Sequence, residues 1–130
     1  MTTVGPVRTQ CSAALDDLIK RCDGVAAAML ALRDGRPFAE RLRAKVEPGK
    51  FAAMASSLIA LGQSVLRELA AGALDHVVVE GAEGKLVVCS VPGANSPLLL
   101  AVLAQSDARL GLVLGHAKAC ARQVAEFIPR

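Results

Sequence analysis

The stretch HVVVEGAEGKLVVCSVPGANSPLLLAVLA, residues 76–104, sets three apolar runs between short turns rich in glycine and proline. Valine dominates the first two runs, and β-branched side chains favour a pleated backbone over a helical one. Val77 and Val79 alternate with His76, Val78 and Glu80, whereas residues 86–89 are continuously apolar. Segments 75–81 and 85–91 are joined by Ala82-Glu83-Gly84, a link of hairpin length. PGANSP (92–97) reads as a loop, and LLLAVLA (98–104) as a short strand whose unbroken apolarity suits the middle of a sheet.

Outward from this meander, the N-terminal half repeats the strand-turn-strand theme. VAAAMLALRDGRPFAERLR (25–43) holds two extended runs around Asp34-Gly35, a dipeptide that tolerates the positive φ of a tight turn. Its alanines argue against a strand on propensity, so the turn carries the assignment. Residues 7–23 space Cys11, Ala14, Leu15, Leu18 and Cys22 as one helical face, ending near Gly24. A second helix is expected over 48–71, opened by Pro48-Gly49 and closed by Gly72. A third covers 107–127, with Leu110, Val113, Leu114, Ala117, Ala121, Val124 and Ile128 in one stripe and Pro129 as its stop. The order is α-β-β-α-β-β-β-α. That predicts an α+β fold, a five-stranded mostly antiparallel sheet with helices packed on its faces. It is one domain over 7–130, after a short flexible tail at 1–6.

Composition narrows the function. With 130 residues the chain can bury a single core, and 53% hydrophobic residues exclude disorder as the main state. A net charge of +3 and the absence of Trp and Tyr leave neither a basic patch nor stacking platforms for nucleic acid. Four cysteines without a C-x-x-C pair read as buried free thiols of a reducing compartment. The start shows no apolar signal region and no run is long enough to span a membrane, so a cytoplasmic protein without membrane insertion is expected.

Motifs for chemistry are incomplete. GAEGKL (81–86) has the Gly-Lys of a phosphate-binding loop, but Leu86 stands where Ser or Thr would hold Mg²⁺, and a strand follows in place of a helix. A hairpin turn with a solvated Lys85 is the simpler reading. His116 and Cys120 share a helical face, yet a dyad also needs an orienting acid and an oxyanion donor, and zinc needs two further ligands. Gly111 and Gly115 permit close packing on the same helix. No catalytic residue, cofactor site or metal site is assigned. Arg33, Arg36, Arg41, Arg43 and Lys45 gather positive charge on the first hairpin and its exit; the four arginines are the candidate partner-binding residues, for an acidic surface.

Residues 76–127, as a two-strand hairpin, an apolar strand and a small-residue turn into Gly111-Leu112-Val113 and a closing helix, resemble the roadblock/LC7 family. The likeness is strongest to its bacterial MglB-like regulators of small Ras-like GTPases. Gly24-Val25 leading into a strand, Asp34-Gly35 turning it and the Ala- and Leu-rich helix extend the likeness over residues 7–127. Gly115-His116 departs from the larger aromatic-acidic pair of many bacterial relatives. The resemblance implies a roadblock or profilin-like sandwich and homodimers joined through the middle helices and third strands. It also implies non-catalytic regulation or scaffolding of a small Ras-like GTPase. The alternative it implies is an adaptor in a signalling or motility complex with no direct effect on GTP turnover.

The middle helix bears on the dimer. FAAMASSLIALGQSVL (51–66) contains no charge. On a helical wheel Phe51, Met54, Ala55, Leu58, Leu61, Gly62 and Val65 point one way, assigned to the sheet, with Ile59 and Leu66 beside them. The opposite arc holds small uncharged residues where a solvent face would carry Lys and Glu. The expected dimer surface is therefore Ala53, Ser56, Ser57, Ala60, Gln63, Ser64 and Arg67 on the helix, with His76, Val78 and Glu80 on the third strand. If that strand stands at a sheet edge, Asp75, His76 and Glu80 either guard the edge or pair across a two-fold axis.

Overall fold

The computed structural model describes residues 4–43, 45–93 and 96–128. Its elements are α1 (Val4–Arg21), β1 (Val25–Leu32), β2 (Pro37–Leu42), α2 (Pro48–Glu68), β3 (His76–Glu80), β4 (Gly84–Ser90), β5 (Leu98–Gln105) and α3 (Leu110–Phe127). The expected order α-β-β-α-β-β-β-α is observed. The strands form one sheet in the spatial order β2-β1-β5-β4-β3, every pair antiparallel. β5 lies in the middle as its composition requires, buried from Leu98 to Val102.

Two layers of core flank the sheet. On one face, α1 and α3 bury Leu15, Leu18, Val113, Ala117 and Val124 against Leu30, Val87, Leu100 and Val102. On the other, α2 alone buries Phe51, Ala52, Ala55 and Ile59 against Met29, Val88, Leu99 and Ala101. The alanines of β1 are explained by this geometry. Ala27, Ala28 and Ala31 are fully buried between helices on both faces, where small side chains let the helices come close. Packing overrides the weak strand propensity of alanine there.

Helix ends differ from the sequence expectation at several points. α1 begins at Val4, ahead of residue 7, because Pro6 sits in the first turn, where a missing N–H breaks no helical bond. Residues 1–3 of the expected tail, and the expected stop at Pro129, lie outside the described residues. α2 is capped by the Glu47 carboxylate, which accepts from the amides of Gly49 at 3.0 Å and Lys50 at 2.6 Å. It ends at Glu68, short of 71, as Ala70 turns to φ 52° and the Ala71 amide donates to the Leu66 carbonyl. α3 starts at Leu110, since residues 105–108 are taken by a turn in which the Ala108 amide donates to Gln105. At Gly24, φ is +89° and an added Cβ would meet the Ala108 Cβ at 3.0 Å, so both the turn out of α1 and its packing require glycine.

Lys85 corrects another expectation. It is not solvated: 9% exposed, it runs along the sheet under α3 and donates through Nζ to the Ala108 carbonyl. Its aliphatic stem is long enough to be buried while the ammonium finds that carbonyl.

Candidate protein interaction surface

α2 carries the surface that the fold leaves open. Its sheet-facing residues are Phe51, Ala52, Ala55 and Ile59, with Leu58, Gly62 and Leu66 half-buried beside them. Met54, Leu61 and Val65, assigned to the sheet by the helical wheel, instead stand 52%, 62% and 45% exposed. The reason is size. The apolar residues cover about half of the helix circumference, and the larger ones pull any size-weighted direction away from the alanines. Close approach to the sheet is set by Ala52, Ala55 and Gly62, with Phe51 and Ile59 filling the space beside them, so Met54, Leu61 and Val65 are left outside.

The outer face therefore combines Met54, Leu61 and Val65 with exposed Ala53, Ser57, Ala60 and Ser64, and Leu69 extends it at 69% exposure. No charged side chain interrupts it between Lys50 and Arg67. Arg67 is exposed at its end, as expected. Two members of the expected arc sit differently. Gln63 is half-buried, and Ser56 is half-buried with its hydroxyl donating to the Arg33 carbonyl at 2.5 Å.

β3 lies next to this face and is an outer strand of the sheet. Its two sides are distinct: Val77 packs into the α2 core and Val78 into the α1/α3 core. Val79 is 46% exposed, and Glu80 is exposed as well. His76 is half-buried, its Nδ1 3.1 Å from Asp75 Oδ2, and the same oxygen takes the Lys118 ammonium. The Lys118 bond, with help from His76, holds the Asp75 carboxyl below its ordinary range.

The opposite edge, β2, is occupied by side chains. Arg8 Nε donates to the Phe38 carbonyl at 3.0 Å and lies over the Phe38 ring, and Arg41 Nη1 donates to the Glu40 carbonyl at 2.9 Å. Pro37 lacks an amide to offer. Among the described residues, no side chain bonds to the backbone of β3.

The four candidate arginines do not form one patch. Arg33 and Arg36 lie at the β1–β2 turn, whereas Arg41 and Arg43 lie at the far end of β2 beside α1. Arg33 donates to the Ser96 carbonyl at 3.0 Å and the Ser90 hydroxyl at 3.3 Å. Arg36 pairs with Asp34 at 2.8 Å, and Arg41 with Asp16 at 2.7 Å. Three of them thus already have intramolecular partners, a fact that sequence spacing did not reveal.

His116 and Cys120 line an open groove of about 600 Å³ between α1 and α3, together with Asp17, Arg21, Gly111 and Gly115. Cys120 is buried and its thiol faces the Ala14 carbonyl at 3.7 Å. Burial pushes that thiol up to about 12, with Cys89, Cys11 and Asp17 adding to it. A thiol so held is protonated and a weak nucleophile at neutral pH. Among the described residues, no three His, Cys, Asp or Glu side chains converge as metal ligands.

Comparison with known proteins places this architecture. Residues 12–104 match the model of the Roadblock/LC7 domain. A Roadblock/LC7 domain crystallised from Streptomyces avermitilis is 25% identical and superposes with a TM-score of 0.81, covering 89% of this chain and 95% of that one. MglB of Myxococcus xanthus, 18% identical, shares the fold with a TM-score of 0.80 over 91% of this chain and 94% of its own. An uncharacterized protein of Methanocaldococcus jannaschii is 24% identical over 106 residues, 82% of this chain and 90% of its own length. With the family match spanning most of the sheet and two helices, the chain belongs to the Roadblock/LC7 domain family.

Proposed function

We propose that the protein is a homodimeric, non-catalytic regulator or scaffold that binds a small Ras-like GTPase in the cytoplasm and modulates its nucleotide cycle. One observation carries the dimer: the uncharged stripe of Met54, Leu61 and Val65 on α2 lies beside the unoccupied edge of β3. Association of two copies through both elements would cover apolar surface and complete the backbone bonding of an open strand. Family membership and the likeness to MglB support the GTPase as partner. The chain would act by shape, selecting one conformation of the partner's switch loops. Among the described residues, no helix is long and apolar enough to cross a membrane.

GTP turnover by the cognate GTPase, with and without this protein, tests the reading. A changed turnover supports it, and unchanged turnover without binding refutes it. The adaptor reading gains from the arginines. Arg33, Arg36 and Arg41 are held within the chain, which disfavours lending a guanidinium to a partner's phosphates. Binding with unchanged turnover would select the adaptor.

A further inference from the structure

We propose that, where β3 meets β3 of a second copy, the antiparallel register centres on Val78 and sets His76 of each copy against Glu80 of the other, so that protonation of His76 tightens the pair. The inference rests on the homodimer proposed above.

The five residues His76–Glu80 are self-complementary under a two-fold axis. A two-fold through Val78 places residue 76 opposite 80 and residue 77 opposite 79. Antiparallel partners must direct their backbone groups at each other, which requires an axis through a residue and not between residues. Of the residue-centred choices, Val78 alone pairs all five positions. It sets Val77 against Val79 on the α2 side, which covers the 46% of Val79 left exposed in one copy. Moving the centre to Val77 would put His76 against Val78 and leave Glu80 without a partner in the strand.

On the α3 side the same register builds a row of charges. Lys118 holds Asp75, and Asp75 holds Nδ1 of His76. Nε2 of His76 is left for Glu80 of the second copy. Glu80 in turn has Lys85 of its own chain at 4.0 Å, across the β3–β4 ladder. Cys89, opposite His76 in that ladder, is a further titratable neighbour, and burial holds it as a neutral thiol. The row reads Lys118, Asp75, His76, Glu80, Lys85, and its signs alternate only when His76 is charged. Imidazole is the side chain that changes charge between about pH 5 and pH 8. A carboxylate arriving on association favours the imidazolium, so protonation and dimerisation strengthen each other.

The dissociation constant of fluorescently labelled copies, measured at about pH 8 and about pH 5.5 in low salt, tests this. The expected result is a dimer at least about tenfold tighter in acid, the equivalent of one pKa unit shared over two sites. The chain has two histidines, so His116→Gln serves as the control and should keep that dependence. His76→Gln and Glu80→Gln should each flatten it. A dimer whose affinity ignores pH, or a dependence that persists in Glu80→Gln, overturns the inference and leaves the homodimer standing. A monomer under both conditions removes the homodimer itself.

Discussion

Gly62 of α2 lies against Val77 of β3, so close that a Cβ on the glycine would stand 3.1 Å from Val77 Cγ2 and 3.3 Å from Leu74 Cδ2. The middle helix therefore rests on the outer strand through a residue with no side chain. Replacing Gly62 with Leu should lift α2 from β3 and cost about 1–3 kcal/mol, against a gain in helix propensity of ~1 kcal/mol. Urea unfolding read by far-UV dichroism measures the balance, and a variant as stable as the parent would contradict this packing.

The outer stripe of α2 separates folding from association. Leu61 is 62% exposed and touches little of its own chain. Leu61→Asp should leave the stability of an isolated subunit within about 0.5 kcal/mol. The same change should weaken self-association by about 30-fold or more, the scale of a central interface residue. Native mass over a dilution series gives the second number, and unaltered association would show that the stripe lies outside the contact.

Lys85 supplies a test of the loop leading into α3. Lys85→Ala removes both a buried stem and the donor to the Ala108 carbonyl. The expected loss is about 1–3 kcal/mol. Lys85→Met keeps most of the stem and should recover part of that loss, as two chemical-denaturation curves would show.

The thiols give a pH prediction. Burial pushes Cys89 up to about 11 and Cys120 up to about 12, from an ordinary value of 9.0. A raised folded value favours the neutral thiol in the native state. Their contribution to stability is therefore full below about pH 9 and is lost as pH climbs through the folded values. Native protein at about pH 8 should resist iodoacetamide at both positions and accept it once unfolded, because the thiolate is the reacting form. Peptide mass mapping reads the labels, and rapid native labelling at Cys120 would contradict its burial.

Much of the fold was legible because period and turn chemistry agree with each other. The valine runs, Asp34-Gly35 and the long apolar run at 98–104 each specify a strand or turn locally, and the short links make β1–β2, β3–β4 and β4–β5 neighbours in the sheet. The phase of α2 was not legible. Ala52 and Ala55 set its distance from the sheet, and a pattern read by hydrophobicity gives such small residues too little weight beside Met54 and Leu61. Lys85 escaped for a related reason: its partner is a backbone carbonyl in a distant turn, which leaves no mark on side-chain spacing. The arginines looked like one patch because they are near in sequence, while β2 carries them about 17 Å apart at the usual strand rise.

The two edges of the sheet differ, and the difference limits growth. β2 has Arg8 and Arg41 on its outward carbonyls and Pro37 at its start, so it offers little to an incoming strand. β3 offers its whole length. A unit with one receptive side and one refractory side can be joined head to head a single time, and both refractory sides then face outward. Strand addition through β3, as proposed above, would be self-terminating: it would end at a pair and not run on into a fibre.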